Sequence, residues 1–189
     1  MDTSRLVVIS GGPGAGKTTI LLELERRGFR FAPEVARQII QEQVRDGGDA
    51  LPWGDRERYC RLMLERSIAS YQEHAGLKGT IFFDRGIPDT FCYARLIGSP
   101  LESEILADCR TYRYADRVFL SPPWPEIYAT DTERKQTLDE AVKTYGLMVE
   151  AYEDCGYEVV EIPRASPAQR ANFIVSRLSN ESKAVRLHE

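Results

Sequence analysis

The chain is 189 residues long, 42% apolar and 29% charged, the balance of a soluble one-domain globular protein, and its apolar stretches are strand-sized, too short to cross a membrane. A net charge of −4 and a pI near 5.4 argue against a main task of coating nucleic acid. Four scattered cysteines, Cys60, Cys92, Cys109 and Cys155, form no CxxC pair and have no histidine neighbour, which argues against a zinc site and leaves reduced thiols.

The first predicted strand, residues 5 to 10, contains the unbroken apolar run Leu6-Val7-Val8-Ile9, as expected of a strand buried on both faces. Directly behind it Gly11-Gly12-Pro13-Gly14-Ala15-Gly16-Lys17-Thr18 spells the complete pattern GxxxxGK[ST], with Thr19 next. The glycines let backbone amides turn inward as an anion nest, and the helix starting near Lys17 aims the positive end of its dipole at the same point. Lys17 then reaches the β and γ phosphates of a nucleotide, and the Thr18 hydroxyl joins a magnesium shell. Residues 11 to 19 are therefore the nucleotide-binding candidate.

A second strand, residues 29 to 33, ends at Pro33-Glu34, and Arg37 follows three positions later on the same helix face. Glu34 and Arg37 either grip the hydroxyls and charge of a second substrate or form a plain surface salt bridge. After the Asp46-Gly47-Gly48-Asp49 turn, a helix between Trp53 and His74 carries Leu64, Ile68 and Tyr71 on one side.

The third strand, 80 to 84, is apolar through Ile81-Phe82-Phe83 and closes on Asp84-Arg85. A carboxylate at that place either holds Mg2+, directly or through water, or takes a proton from an attacking hydroxyl. Arg85 offers a planar fork to a phosphate or acidic group. A structural Asp84–Arg85 ion pair is the plainer alternative, and Asp89 reads as the cap of a helix beginning near Thr90.

The fourth strand, 117 to 121, leads through Ser121-Pro122-Pro123-Trp124-Pro125 into a polar stretch ending at Gln136; residues from about 122 to 137 read as a lid over the phosphates or as an exposed connection. Leu138, Val142, Tyr145, Val149 and Tyr152 then make one apolar helical stripe that stops at Gly156. The fifth strand, 158 to 162, is followed by Pro163-Arg164-Ala165-Ser166-Pro167, which topology places beside a nucleotide base, and Ala171, Ile174, Val175 and Leu178 stripe the last helix. The expected organisation is one cytoplasmic domain over residues 1 to 180 with a frayed tail at 181 to 189.

Strands alternating with helices imply a parallel sheet covered on both faces, an α/β fold whose centre is formed by the three continuously apolar strands. Ligands gather beyond the carboxyl ends of such strands, which is where the glycine loop, Pro33-Glu34 and Asp84-Arg85 all fall.

Through Gly11 to Thr18, Glu34-Val35-Ala36-Arg37, Phe83-Asp84-Arg85-Gly86, Asp131 to Arg134 and Gly156-Tyr157-Glu158-Val159-Val160, the chain resembles the P-loop kinases. Within them it is similar to the small AAA-type ATPase/kinase domains, a group that includes ribosylnicotinamide kinase domains. The resemblance implies a three-layer P-loop NTPase fold with five parallel strands in order 2-3-1-4-5, ATP with Mg2+ as donor, and a lid whose Arg134 and Lys135 approach the phosphates. It implies Lys17, Asp84 and Arg134 as the catalytic set, and a small-molecule acceptor facing Glu34, Arg37 and Arg85. No second arginine cluster is present for an acceptor phosphate, so a nucleoside or other hydroxyl compound stands beside a nucleoside monophosphate as acceptor. The expected function is ATP-dependent phosphoryl transfer. The alternative is a regulatory NTPase switch without an acceptor, and phosphorylation of polynucleotide ends is disfavoured by the acidic charge.

Overall fold

The computed structural model describes residues 5–125 and 138–185. Strands β1 (Arg5–Gly11), β2 (Arg30–Ala32), β3 (Thr80–Asp84), β4 (Arg117–Ser121) and β5 (Glu158–Glu161) pair in parallel in the order β2-β3-β1-β4-β5, the order the resemblance implies. The three continuously apolar strands occupy the centre. Val7, Val8, Ile9, Phe82, Phe119 and Leu120 are wholly buried, whereas the edge strand β5 exposes Glu158 and Glu161.

Around the sheet run α1 (Lys17–Arg26), α2 (Val35–Asp46), α3 (Arg56–Ala75), α4 (Ile87–Ile97), α5 (Glu102–Thr111), α6 (Leu138–Asp154) and α7 (Pro167–Val185). Side chains alternate across a strand, so β1 feeds both covering layers. Val7 and Ile9 pack with Ile20, Leu21 and Leu24 of α1 and with Ala171, Ile174 and Leu178 of α7. Leu6 and Val8 face the opposite layer, built from Leu64, Phe91, Ile105, Met148 and Tyr152. This gives the expected three layers.

Two local readings need correction. In the apolar stripe of α6, Tyr145, Val149 and Tyr152 pack on the core as expected, but Val142 is 55% exposed and Ala141, Met148 and Ala151 are buried instead. The Tyr152 hydroxyl reaches inward to Asp89; at roughly 100° per residue Ala141 returns to the Tyr152 face, whereas Val142 falls about 80° away from it and meets solvent. The helix after β3 starts at Ile87, with Pro88 in its first turn, rather than near Thr90. Beyond these, α7 continues through Val185, past the Asn180 boundary read from sequence. The residues expected to form the lid are described only as far as Pro125, so Arg134 and Lys135 lie outside the described residues. No described helix is long and apolar enough to cross a membrane.

Candidate active site

The glycine loop is shaped by what surrounds it. At Gly11 the chain passes so close to β4 that a Cβ would stand 2.5 Å from the Ser121 carbonyl oxygen, and its φ of +138° is open only to glycine. Gly14 and Gly16 adopt the left-handed conformation, φ 75° and 76°, which turns successive amides toward one concavity, and Gly16 is the N-cap of α1. Lys17 folds back over this bend. Its Nζ donates to the carbonyl oxygens of Gly11 at 2.8 Å and Gly12 at 3.1 Å. Burial, with help from the Arg85 charge, lowers its pKa to about 8 against the opposing pull of Asp84, Glu34 and Asp89. Thr18 is exposed, whereas the Thr19 hydroxyl turns back to donate to Gly16 O at 2.8 Å.

Asp84 closes β3, paired in register with Ile9 of β1. Burial pushes its carboxyl up from the ordinary carboxylate range while the Lys17 charge works the other way. Arg85 follows with φ +72°, an unusual conformation for a side-chain-bearing residue that costs about 1–2 kcal/mol. Its own amide is tied to Ile9 O at 3.0 Å. Two carboxylates hold the guanidinium: Nε donates to Glu34 Oε1 at 2.8 Å and Nη1 to Asp89 Oδ1 at 3.1 Å. Burial alone would depress Arg85, but Asp89, Glu34 and Asp84 outweigh it and raise its pKa above the usual arginine value. Glu34 is the N-cap of α2, so its position is set by the backbone. Arg37 stands 3.8 Å from Glu34 and is 68% exposed, a surface pair worth little.

These residues border two cavities. The larger, about 700 Å3, is lined by the loop from Pro13 to Thr19, by Glu34, Arg37, Asp84 and Arg85, and on its far side by Trp124, Ala165, Ser166, Pro167 and Arg170. A second, about 220 Å3, runs from Gly12, Pro13, Glu34 and Arg85 to Tyr59, Met63, Cys92, Tyr93 and Met148. Pro13, Glu34 and Arg85 line both, so they mark the junction. Every described residue singled out from sequence around the glycine loop and the two strand ends lines one of these spaces or lies in the loop itself.

The model of an AAA domain family matches residues 6–170, most of the chain. The chain belongs to this AAA domain family. Its fold is that of P-loop nucleoside and nucleotide kinases. A NadR protein crystallised in complex with NR superposes with a TM-score of 0.71 at 21% identity, over 92% of this chain and 51% of that one, so the AAA domain spans about half the length of that relative. Thymidylate kinase from Candida albicans gives a TM-score of 0.66 at 13% identity, covering 95% and 93% of the two chains. Shikimate kinase from Acinetobacter baumannii in complex with shikimate gives 0.55 at 16% identity, covering 95% and 96%. Curated protein sequences offer no match.

Two residues of this AAA domain carry more of the site than the sequence suggested. Asp89 does not precede its helix; it sits at the third helical position, 7% exposed, and accepts four hydrogen bonds. Oδ1 takes Ser10 Oγ at 2.5 Å and Arg85 Nη1 at 3.1 Å; Oδ2 takes the Gly86 amide at 2.8 Å and the Tyr152 hydroxyl at 2.5 Å. It thereby joins the end of β1, the strand end at Arg85, and α6. Arg170 of α7 is 2% exposed and faces the Trp124 ring 5.7 Å away; its Nη2 donates to Ala15 O at 3.0 Å and Ser121 Oγ at 2.9 Å. Burial lowers its pKa to about 10. The signal for Arg170 was present in the sequence: it lies four and eight residues before Ile174 and Leu178, a charge on the apolar stripe of the last helix.

Proposed function

We propose that the protein is an ATP-dependent kinase that phosphorylates a hydroxyl of a small aromatic acceptor of nucleoside type carrying no phosphate of its own. The observation that carries this reading is the pair of cavities meeting at Pro13, Glu34 and Arg85. A nucleotide switch has use for the first alone. A kinase needs a second chamber whose contents face the end of the triphosphate.

The wall chemistry supports the acceptor class. Tyr59 and Tyr93 stand edge to face with centroids 5.4 Å apart, and Met63 and Met148 add polarisable apolar surface suited to a flat ring. The cation nearest the junction, Arg85, is already matched by Glu34 and Asp89, so an acceptor phosphate would meet a predominantly acidic wall. An uncharged or cationic acceptor avoids that repulsion, and Glu34 is placed to accept hydrogen bonds from its hydroxyls.

Within this reading the amides of Gly14 to Lys17 and the Lys17 ammonium cradle the β and γ phosphates, and Trp124, Ala165 and Arg170 border the base. The Thr18 hydroxyl and the Asp84 carboxylate line the same cavity and are oxygen donors of the kind Mg2+ prefers, so they fit as its holders. When bound there, Mg2+ neutralises charge on the phosphate oxygens. Asp84, with its carboxyl raised by burial, also suits the task of taking the acceptor hydroxyl proton as it attacks, and Arg134 is proposed to approach the transferring group from the lid.

The deciding experiment measures ADP formation from ATP with adenosine, cytidine, guanosine, uridine or ribosylnicotinamide, beside a control without acceptor. Stimulation by at least one nucleoside is expected. ATP consumption that no nucleoside raises above the control would return the protein to the class of NTPase switches.

A further inference from the structure

A third, much smaller cavity of about 20 Å3 lies against Asp84, between the end of β3, the first turn of α4 and the Ser67–Ser70 turn of α3. Two residues lining it carry a polar atom that is sealed from solvent and has no hydrogen-bond partner among the described residues: Oδ1 of Asp84 and Oγ1 of Thr90. Thr90 is 1% exposed. A threonine in a helix ordinarily turns its hydroxyl to the carbonyl one turn back, and this one does not. Leaving a buried hydroxyl unpaired costs about 1–3 kcal/mol, and a carboxylate oxygen more.

The volume limits what can satisfy both atoms. One water needs roughly 10–15 Å3 and two or more polar partners, so the space holds one water and nothing larger. We infer that a single water is bound there as a fixed part of the site, donating to Asp84 Oδ1 and hydrogen-bonded to Thr90 Oγ1, with Ser67 and Ser70 bringing further hydroxyls to its wall. The terminal torsion of an aspartate is soft, so a carboxylate tethered at one oxygen holds an orientation that a free one does not. Thr90 is thus a positioning residue for Asp84. The inference rests on the reading of Asp84 as the working carboxylate of a kinase.

Crystals of the unaltered protein and of Thr90→Val and Thr90→Ser test it. The expected result is a water peak within hydrogen-bond distance of both atoms in the unaltered protein and in Thr90→Ser. In Thr90→Val, which swaps the hydroxyl for a methyl of nearly equal size, the peak should vanish and the Asp84 carboxylate should rotate or split into two conformers. A dry cavity in the unaltered protein, a direct Thr90–Asp84 hydrogen bond, or an unmoved Asp84 in Thr90→Val overturns the inference. With ATP and a ribonucleoside mixture, Thr90→Val should lower kcat roughly tenfold at unchanged KM for ATP, and Thr90→Ser should restore it. If Thr90→Ser is as slow as Thr90→Val, the effect is packing and the inference fails. Should the unaltered protein ignore nucleosides, the kinase reading falls while the crystals still judge the water; should Thr90→Val fail to fold, the unaltered protein decides alone.

Discussion

The hydroxyl of Tyr152 donates to Oδ2 of Asp89 at 2.5 Å, joining α6 to the first turn of α4 across 63 positions of sequence. The same carboxylate holds Ser10 and Arg85. One buried carboxylate therefore ties together a helix, the end of the central strand and the guanidinium between the two cavities.

Changing Asp89 to Asn keeps the shape but leaves Arg85 and at least one other donor poorly matched. Breaking a buried, hydrogen-bonded charge pair costs about 3–5 kcal/mol. Tyr152→Phe removes one neutral donor and should cost about 1–2 kcal/mol. Urea unfolding of the two variants should rank them in that order. A Tyr152→Phe loss equal to that of Asp89→Asn would mean that the carboxylate is not the centre of the network.

Gly11→Ala puts a methyl group 2.5 Å from the Ser121 carbonyl oxygen at a φ of +138°. Neither backbone can yield without disturbing the β1–β4 pairing, so destabilisation of roughly 2 kcal/mol or more is expected. For a chain of this size that is a fall in Tm of about 4–8 °C. Calorimetry showing an unchanged Tm would contradict the close approach.

Lys17→Met keeps the stem and removes the ammonium that caps the glycine loop. Affinity for ADP in the presence of a chelator should weaken by roughly tenfold or more, as for a lost charge-assisted hydrogen bond. The pH dependence has a definite sign. Burial lowers Lys17 to about 8, so in the free protein its charge is present below that pH and lost above it. Titration calorimetry should find ADP affinity flat below about pH 8 and falling above it, by no more than tenfold per pH unit; Lys17→Met should show no such fall.

Asp84→Asn should leave ATP binding within a few-fold and collapse kcat, because the role proposed for the group is exerted mainly in the transition state. Single-turnover phosphoryl transfer at the full rate in this variant would remove Asp84 from the mechanism.

Much of the frame was legible in the sequence because it is written locally. Apolar runs of strand length gave β1, β3 and β4 and their central place, and the spacing of Gly11 to Thr18 marks a glycine bend that opens a helix. Strand order came from resemblance, since pairing partners such as Arg5 and Thr80 are far apart in the chain. Asp89 was read only in part for the same reason. Its carboxylate does cap α4 through the Gly86 amide, but only the fold brings Ser10, 79 positions away, and Tyr152 onto its oxygens. Val142 was misassigned because Ala141, 11 positions before Tyr152, shares its helix face more closely than Val142 does.

Arg170 donates to the carbonyl of Ala15, 155 positions earlier. The order in which the ribosome makes the chain therefore matters: an unfinished polypeptide that lacks α7 already has the glycines, but not the guanidinium that fastens them. The proposed nucleotide ligand is therefore expected to stabilise chains that carry α7 by mass action and to do far less for truncated ones.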